Sequence, residues 1–145
     1  TEIKIPGSIR EIGYKSFSGC SGLREISIPS TVKTVGIGAF ENCTELKDIS
    51  LPTTLTEINY YTFSGCTSLT TLTLHSKLTA INNYAFAGCK SLTEIHCKNS
   101  NPPLIGENTF RDVNRIGCKI FVPSKRAKKS YSTALYWNEF TIYIE

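Results

Sequence analysis

The sequence predicts a right-handed solenoid of mainly parallel β-strands, with short helical or 3₁₀ turns and a helical cap at its C-terminal end. A 23-residue step runs through most of the chain, and apolar residues return at the same place in each step. Such a period is typical of one short unit stacked on the next to form a continuous core. The positions that keep the step include Phe17, Phe40, Phe63 and Phe86; Cys20, Cys43, Cys66 and Cys89; and Leu23, Leu46, Leu69 and Leu92.

The stretch L-x-x-I-x-I predicts one short strand in each repeat. Its last positions alternate apolar and polar residues, which is the pattern of a half-buried strand. Pro29 and Pro52 follow the first two complete strands and end them, because proline has no N–H to donate. A period of roughly 20 to 29 residues with this core is typical of leucine-rich repeats. The four strands are predicted within 23–28, 46–51, 69–74 and 92–97.

A second apolar pair follows each strand, as at Val32 and Val35, and precedes a segment of small and turn-forming residues. This segment is too short for a regular helix, so we expect a loop or a single helical turn that delivers Phe and Cys to the core. Each Phe should then pack on the Phe of the next coil. About five coils are expected.

The C-terminal part departs from the period. Phe110 comes one position later than a regular step from Phe86 would place it, and Pro123 closes a predicted strand at 118–122. Ser124 is a suitable N-cap for a helix over about 125–135. We therefore divide the chain into leucine-rich repeats over 1–100, with a truncated or uncapped N-terminal end, and a last irregular repeat with its cap over 101–145. The predicted inner side of the cap comprises Tyr131, Leu135, Trp137 and Phe140.

The repeat unit I-P-x-x-V-x-x-I-G-x-x-A-F-x-x-C-x-x-L-x-x-I resembles the BspA-type leucine-rich repeat of bacterial surface proteins. The ending is also similar to that family's terminal segment, through Pro102-Pro103, Phe110, 120–123 and the aromatic residues of the cap. This resemblance implies a secreted or surface-anchored protein, often one that adheres to host proteins or other cells. The family has no shared catalytic residues, and its ligands differ among members, so no site residue is transferred.

Composition excludes several classes of function. The net charge is +4, with 16 Lys and Arg against 12 Asp and Glu, and much of the excess lies in residues 119–145. A nucleic-acid partner is therefore unlikely on sequence grounds, since such proteins usually carry a basic stripe along one face. No apolar run approaches the roughly 18 residues that a membrane-spanning helix needs, so no membrane span is predicted. We see neither a phosphate-binding loop nor a nucleophile elbow, and predict a noncatalytic protein without a cofactor.

The six cysteines are expected to be reduced and buried rather than paired or metal-bound. Equivalent residues of neighbouring coils lie ~4.8 Å apart with parallel Cβ directions, whereas a disulfide needs Cβ atoms ~3.8 Å apart. A linear ladder offers no converging ligands for zinc. Cys118 is expected in register with position 93, which argues against a bridge to Cys97. His75 and His96 are predicted to be surface residues without a role.

Two columns of exposed strand residues form the predicted concave face. Short polar side chains there leave room for a protein partner, although Ser and Thr also suit any solvated strand. Arg24 and Lys47 flank the acidic column and are expected to offset its repulsion. The concave face comprises Glu25, Asp48, Thr71 and Glu94 in one column, and Ser27, Ser50, Thr73 and His96 in the other.

An alternative contact surface is a tyrosine ridge made of Tyr14, Tyr60, Tyr61 and Tyr84. Tyrosines are good interface anchors, but stacking between adjacent coils explains them equally well. A third surface is the basic cluster Lys125, Arg126, Lys128 and Lys129, which is most simply the solvated side of the cap and alternatively a contact for acidic polymers.

The sequence therefore predicts a protein-binding or adhesion module with a cell-surface or secreted location. Its partner would be a protein, such as a host extracellular-matrix or cell-surface protein. The chain itself would be a monomer or associate weakly through its N-terminal end. The alternatives are a structural spacer within a longer surface protein and a binder of acidic polymers.

Overall fold

The computed structural model describes residues 2–145 and shows a parallel β-solenoid of about six turns. One α-helix and one 3₁₀ turn (Trp137–Glu139) lie near its C-terminal end. In chain order the elements are β1 (Glu2–Lys4), β2 (Glu11–Ile12), β3 (Glu25–Ser27), β4 (Thr34–Val35), β5 (Asp48–Ser50), β6 (Glu57–Ile58), β7 (Thr71–Leu74), β8 (Ala80–Ile81), β9 (Glu94–Cys97), β10 (Leu104–Ile105), β11 (Lys119–Val122), α1 (Lys125–Thr133) and β12 (Thr141–Ile144).

The main strands are all parallel and keep the register of the repeat. Glu25 lies opposite Asp48, and Thr71 lies opposite Glu94. The hydrogen-bonded order is β1-β3-β5 in one sheet and β7-β9-β11-β12 in the next. Seven stacked strands give six turns, one more than the sequence predicts. The predicted leucine-rich repeat solenoid is confirmed.

In each repeat, the second residue of the apolar pair that follows the main strand, such as Val35, ends a two-residue strand, which the sequence pattern did not predict. These strands make two small parallel sheets, β2-β4 and β6-β8-β10. The turns that follow are bonded across coils: the amide of Phe17 donates to the Ala39 carbonyl at 2.8 Å, and that of Phe40 to Thr62 at 2.9 Å. Each coil thus satisfies the backbone groups of its neighbour.

A ladder of stacked phenylalanine rings forms the spine of the core, as predicted. Ring centroids of successive coils lie 5.2 to 5.6 Å apart. The thiols run parallel to this spine, and those of Cys43, Cys66 and Cys89 donate to the carbonyls of Phe17, Phe40 and Phe63 at 3.2 to 3.4 Å. Cysteine therefore fits this position as a small apolar residue with a weak donor.

The residue before Cys20, and before each of the three cysteines just named, adopts a left-handed backbone conformation. Its φ is +75° at Gly19, +59° at Asn42, +74° at Gly65 and +73° at Gly88. Glycine and asparagine adopt positive φ angles with little strain. The G-C or N-C pair in each repeat therefore indicates a turn that needs this conformation.

The cap closes the spine with aromatic residues. Ser124 caps α1 by accepting from the Ala127 amide at 3.1 Å, and Tyr131 and Trp137 are buried. The Trp137 indole donates to the Pro103 carbonyl at 2.8 Å. Phe140 meets Phe110 edge-on at 5.6 Å.

One expectation about the cap was wrong. Leu135 is 69 % exposed rather than inward-facing. The helix ends at Thr133, and Ala134 is extended, which takes Leu135 away from the core. The cap also contains a strand that we did not predict: β12 pairs with all four residues of β11.

Candidate binding surfaces

The predicted concave face is a real surface of exposed side chains in register. Glu25, Asp48 and Thr71 project to solvent from β3, β5 and β7, while the residues that follow them, Ile26, Ile49 and Leu72, are buried or partly buried. Alternation along each strand positions these side chains, because successive residues of a strand face opposite sides.

A hollow of about 280 Å³ lies on this face, where the three-stranded sheet meets the four-stranded sheet. Ile26 and Ile49 contribute to its lining. Its rim includes six of the eight predicted residues: Glu25, Ser27, Asp48, Ser50, Thr71 and Thr73. Glu2 also lines it and lies opposite Glu25, one step before the column that the sequence suggested. Extending the repeat step backwards from Glu25 would have found it.

Three carboxylates line this hollow, those of Glu2, Glu25 and Asp48, and none of them forms an ion pair within the part of the chain that the structure describes. Arg24, one of the two cations expected to offset this charge, pairs through its guanidinium with Glu45 at 3.0 Å. That pair lowers the pKa of Glu45 through the hydrogen bond and the charge of Arg24. The hollow therefore presents carboxylates that have no ion-pair partner among the described residues, beside short hydroxyl side chains.

The other two predicted residues, Glu94 and His96, belong to a separate cluster. His96 contacts the carboxylate of Glu145 and lies 3.3 Å from that of Glu94. Its ring stacks on Phe121 at 4.8 Å, and Phe121 lies 5.6 Å from Tyr143. Lys98 also pairs with Glu145, and Lys98 followed by His96 lowers the pKa of that carboxyl. His96 thus makes structural contacts with Phe121 of β11 and with Glu145, the residue after β12.

His75 is only half-buried. Its Nδ1 accepts from the Lys77 amide at 3.2 Å. Burial, followed by the charge of Lys77, lowers its pKa. The two histidines therefore lie in separate surroundings and do not converge on one site.

The tyrosine ridge consists of two neighbouring columns. Tyr61 and Tyr84 stack at 4.9 Å with nearly parallel rings, so inter-coil stacking is confirmed for this pair. Both have positive φ, +59° and +64°. Tyr14 and Tyr60 belong to the adjacent column, 70 % and 44 % exposed. Ile37 lies between them at the same step and is 42 % exposed, a member of the ridge that a search for tyrosine alone missed.

All six cysteines are free thiols, and five are buried. Cys20 is the exception: it is half-buried in the first complete coil. In the parallel pairing of β11 with β9, Lys119 lies opposite Glu94. This register places Cys118 beside residue 93, as predicted. Burial raises the pKa of Cys43 to about 11 and that of Cys89, Cys97 and Cys118 to about 12.

Among residues 2–145, His, Cys, Asp and Glu side chains form no group that could hold a metal ion. In the same part of the chain, no helix has the length and apolar character needed to cross a bilayer.

Six copies of the BspA type leucine rich repeat match residues 1–121. The chain belongs to this family. The family and its fold are generally non-enzymatic. The 23-residue repeat in the sequence and the parallel solenoid in the structure both agree with this family assignment.

Solved structures with the same fold include a bacterial cell surface protein and other bacterial proteins. A leucine rich cell surface protein of Faecalibacterium prausnitzii is 29 % identical with a TM-score of 0.78, covering 97 % of this chain and 34 % of that one. The Treponema pallidum leucine rich repeat protein is 30 % identical with a TM-score of 0.73, and the match covers 83 % of this chain and 57 % of that one.

The pneumococcal vaccine antigen PcpA, at 23 % identity and a TM-score of 0.69, shares the fold over 99 % of this chain and 41 % of its own. The chain thus spans about one third to three fifths of the length of these structures. No match was found among curated proteins.

Proposed function

We propose that the chain is a noncatalytic protein-binding module of a secreted or surface-anchored bacterial protein, and that a partner docks on its concave face. The observation that carries this proposal is the hollow lined by Glu25 and Asp48. Membership of a family whose solved relatives include a cell surface protein supports the location.

The chemistry of the hollow defines the kind of partner. Its carboxylates are unpaired in residues 2–145, and its hydroxyl side chains are short, so a protruding Lys or Arg of a partner protein has both space and opposite charge. The partially exposed Ile49 adds an apolar contact at the same place. A host extracellular-matrix or cell-surface protein with a basic segment fits this description.

The test compares binding of extracellular-matrix and serum proteins to the wild type and to the double variant Glu25→Lys/Asp48→Lys. Reversing charges at a desolvated contact should weaken capture by about tenfold or more. The matched control is Glu57→Lys/Glu107→Lys, which makes the same charge change at two exposed positions outside the hollow. Equal loss in both variants, or no loss in either, would show that the concave face is not the site.

Two alternatives have their own outcomes. If a partner binds both charge variants as well as wild type, the tyrosine ridge is the next surface to test, with Tyr14→Ala/Tyr60→Ala. A structural spacer would capture no protein at any salt concentration.

Self-association through the N-terminal end stays a prediction, which sedimentation measurements would test. Ile3, Ile9 and Phe17 line an apolar hollow of about 250 Å³ at this end.

A further inference from the structure

The exposed side of α1 carries four positive charges and no negative one. Lys125, Arg126, Lys128 and Lys129 are all exposed, whereas Ala127 and Tyr131 of the same helix are buried. At about 100° per residue, the four basic positions fall on the side opposite Ala127 and Tyr131, and they span only about 6 Å of helix axis. We call these four residues the basic face.

The cations of the basic face have no ion-pair partner within residues 2–145, and their positions destabilise the helix. Cations near the start of a helix face the positive end of its dipole. Lys125 is also three and four residues before Lys128 and Lys129, the spacings at which like charges repel. The first turn contains no acidic residue to relieve this repulsion.

The basic face lies in the part of the chain that carries most of the net charge. The chain has 16 Lys and Arg and 12 Asp and Glu, and residues 119–145 hold five of these cations and two of these anions, which is +3 of the net charge of +4. Four of those five cations belong to the basic face, in a position that costs the helix stability. Departures from local rules of this kind are expected at functional surfaces.

We propose that the basic face binds an anionic polysaccharide that carries sulfate or carboxylate groups along an extended chain. Charge complementarity selects a polyanion. The aromatic residue of α1, Tyr131, is buried and offers no platform for base stacking, which disfavours single-stranded nucleic acid. The apolar side of the helix is committed to the core, so it has no face to insert into a bilayer as amphipathic helices do. This proposal does not rest on the one made for the concave face.

The test uses immobilised heparin as the probe and the full chain as the protein. The variant replaces Lys125, Arg126, Lys128 and Lys129 with Gln, which has a similar helix propensity. The control replaces Lys33, Lys47, Lys77 and Lys90 with Gln, which makes the same charge change at exposed positions spread along the repeats, none of which forms an ion pair within residues 2–145. Wild type should bind with an affinity that falls steeply with salt, the variant about tenfold or more weakly, and the control within about threefold of wild type.

Several results would overturn the proposal. These are no wild-type binding at ~50 mM salt, an equal loss in variant and control, or tighter binding to phosphatidylglycerol vesicles or duplex DNA than to heparin. Circular dichroism checks that the variant retains its fold. If the fourfold variant is misfolded, Lys128→Gln/Lys129→Gln replaces it. That pair should still weaken heparin binding, and unchanged binding would contradict the proposal.

Discussion

The rings of Phe86 and Phe110 stack with centroids 5.6 Å apart, although their separation along the chain is one position longer than the regular step. The backbone between the two coils also keeps its usual link, since the Phe86 amide donates to the Thr109 carbonyl at 3.0 Å. The extra residue is therefore absorbed outside the turn that positions the ring. Continuity of the spine, rather than the strict period, is what the irregular last repeat preserves.

Replacing Phe63 with Ala should destabilise the protein by about 3–5 kcal/mol, because it opens a cavity between two stacked neighbours. Phe63 is 1 % exposed and stacks on Phe40 and Phe86. Urea unfolding measures the change in free energy. The exposed residue Tyr14 is the control, and Tyr14→Ala should change it by less than about 0.5 kcal/mol. Similar costs for the two variants would contradict a spine built on the phenylalanine rings.

The repeat made most of the fold predictable from the sequence. Its constant step determines which residues stack, so the spine at Phe40 and Phe63 and the register of Glu25 with Asp48 required no further information. The predictions failed in the C-terminal part of the chain, where the 23-residue step is interrupted. Leu135 was assigned by its apolar character, but its position depends on where α1 ends. The strand β12 was missed, although Thr141 to Ile144 alternates polar and apolar residues.

The candidate site was only partly predictable. The exposed columns follow from alternation and the repeat, but the hollow depends on how two sheets meet between β5 and β7, which no local pattern records. The partner of Arg24 is Glu45, 21 residues away, and this pairing depends on side-chain reach between coils, which the sequence does not show. His96 and Glu145 are 49 residues apart, and their contact requires the path of the cap.

Native thiol titration should detect at most one reactive cysteine, and titration in denaturant should detect six. Cys20 is the half-buried thiol in the first complete coil, and the other five are buried. Cys20→Ser should therefore remove the fast native reaction, while Cys66→Ser should leave it unchanged. A mass two or more units below that of the reduced chain would instead reveal a disulfide and overturn this prediction.

The buried thiols should make the protein less stable at alkaline pH. Burial raises the pKa of Cys43, Cys89, Cys97 and Cys118 from 9.0 to between about 11 and 12. Above pH 9 the unfolded chain loses protons that the folded chain keeps, so stability falls as pH rises toward 11 to 12. Each such thiol contributes up to about 1.4 kcal/mol per pH unit in this window.

Thermal unfolding between pH 8 and 11 measures this alkaline loss of stability. Cys89→Ala should show a shallower fall with pH than wild type, even though it starts from lower stability. An identical slope would mean that the buried thiols do not govern the effect.

The contacts of Glu145 should hold the last strand in place. Its carboxylate pairs with Lys98 and His96, and its amide donates to the Val122 carbonyl at 3.0 Å. Glu145→Gln should therefore speed amide hydrogen exchange in β12, and Glu107→Gln, an exposed acidic control, should not. The lowered pKa of Glu145 means that this contribution is present above pH 4.5 and is lost as pH falls. Unchanged exchange in Glu145→Gln would show that backbone pairing alone secures the strand.

Removing residues 119–145 should convert a monodisperse protein into an aggregating one. The deletion would uncover Phe110, which packs on Trp137 and Phe140, and would leave the edge of β9 unpaired. Exposed strand edges and apolar ends promote association between chains. Size-exclusion chromatography with light scattering measures the outcome. Trp137→Phe is the milder variant, because it keeps a ring but leaves the Pro103 carbonyl without its donor, at a cost of about 1–3 kcal/mol. A monodisperse truncated protein, together with an unchanged melting temperature for Trp137→Phe, would show that the solenoid does not depend on its cap.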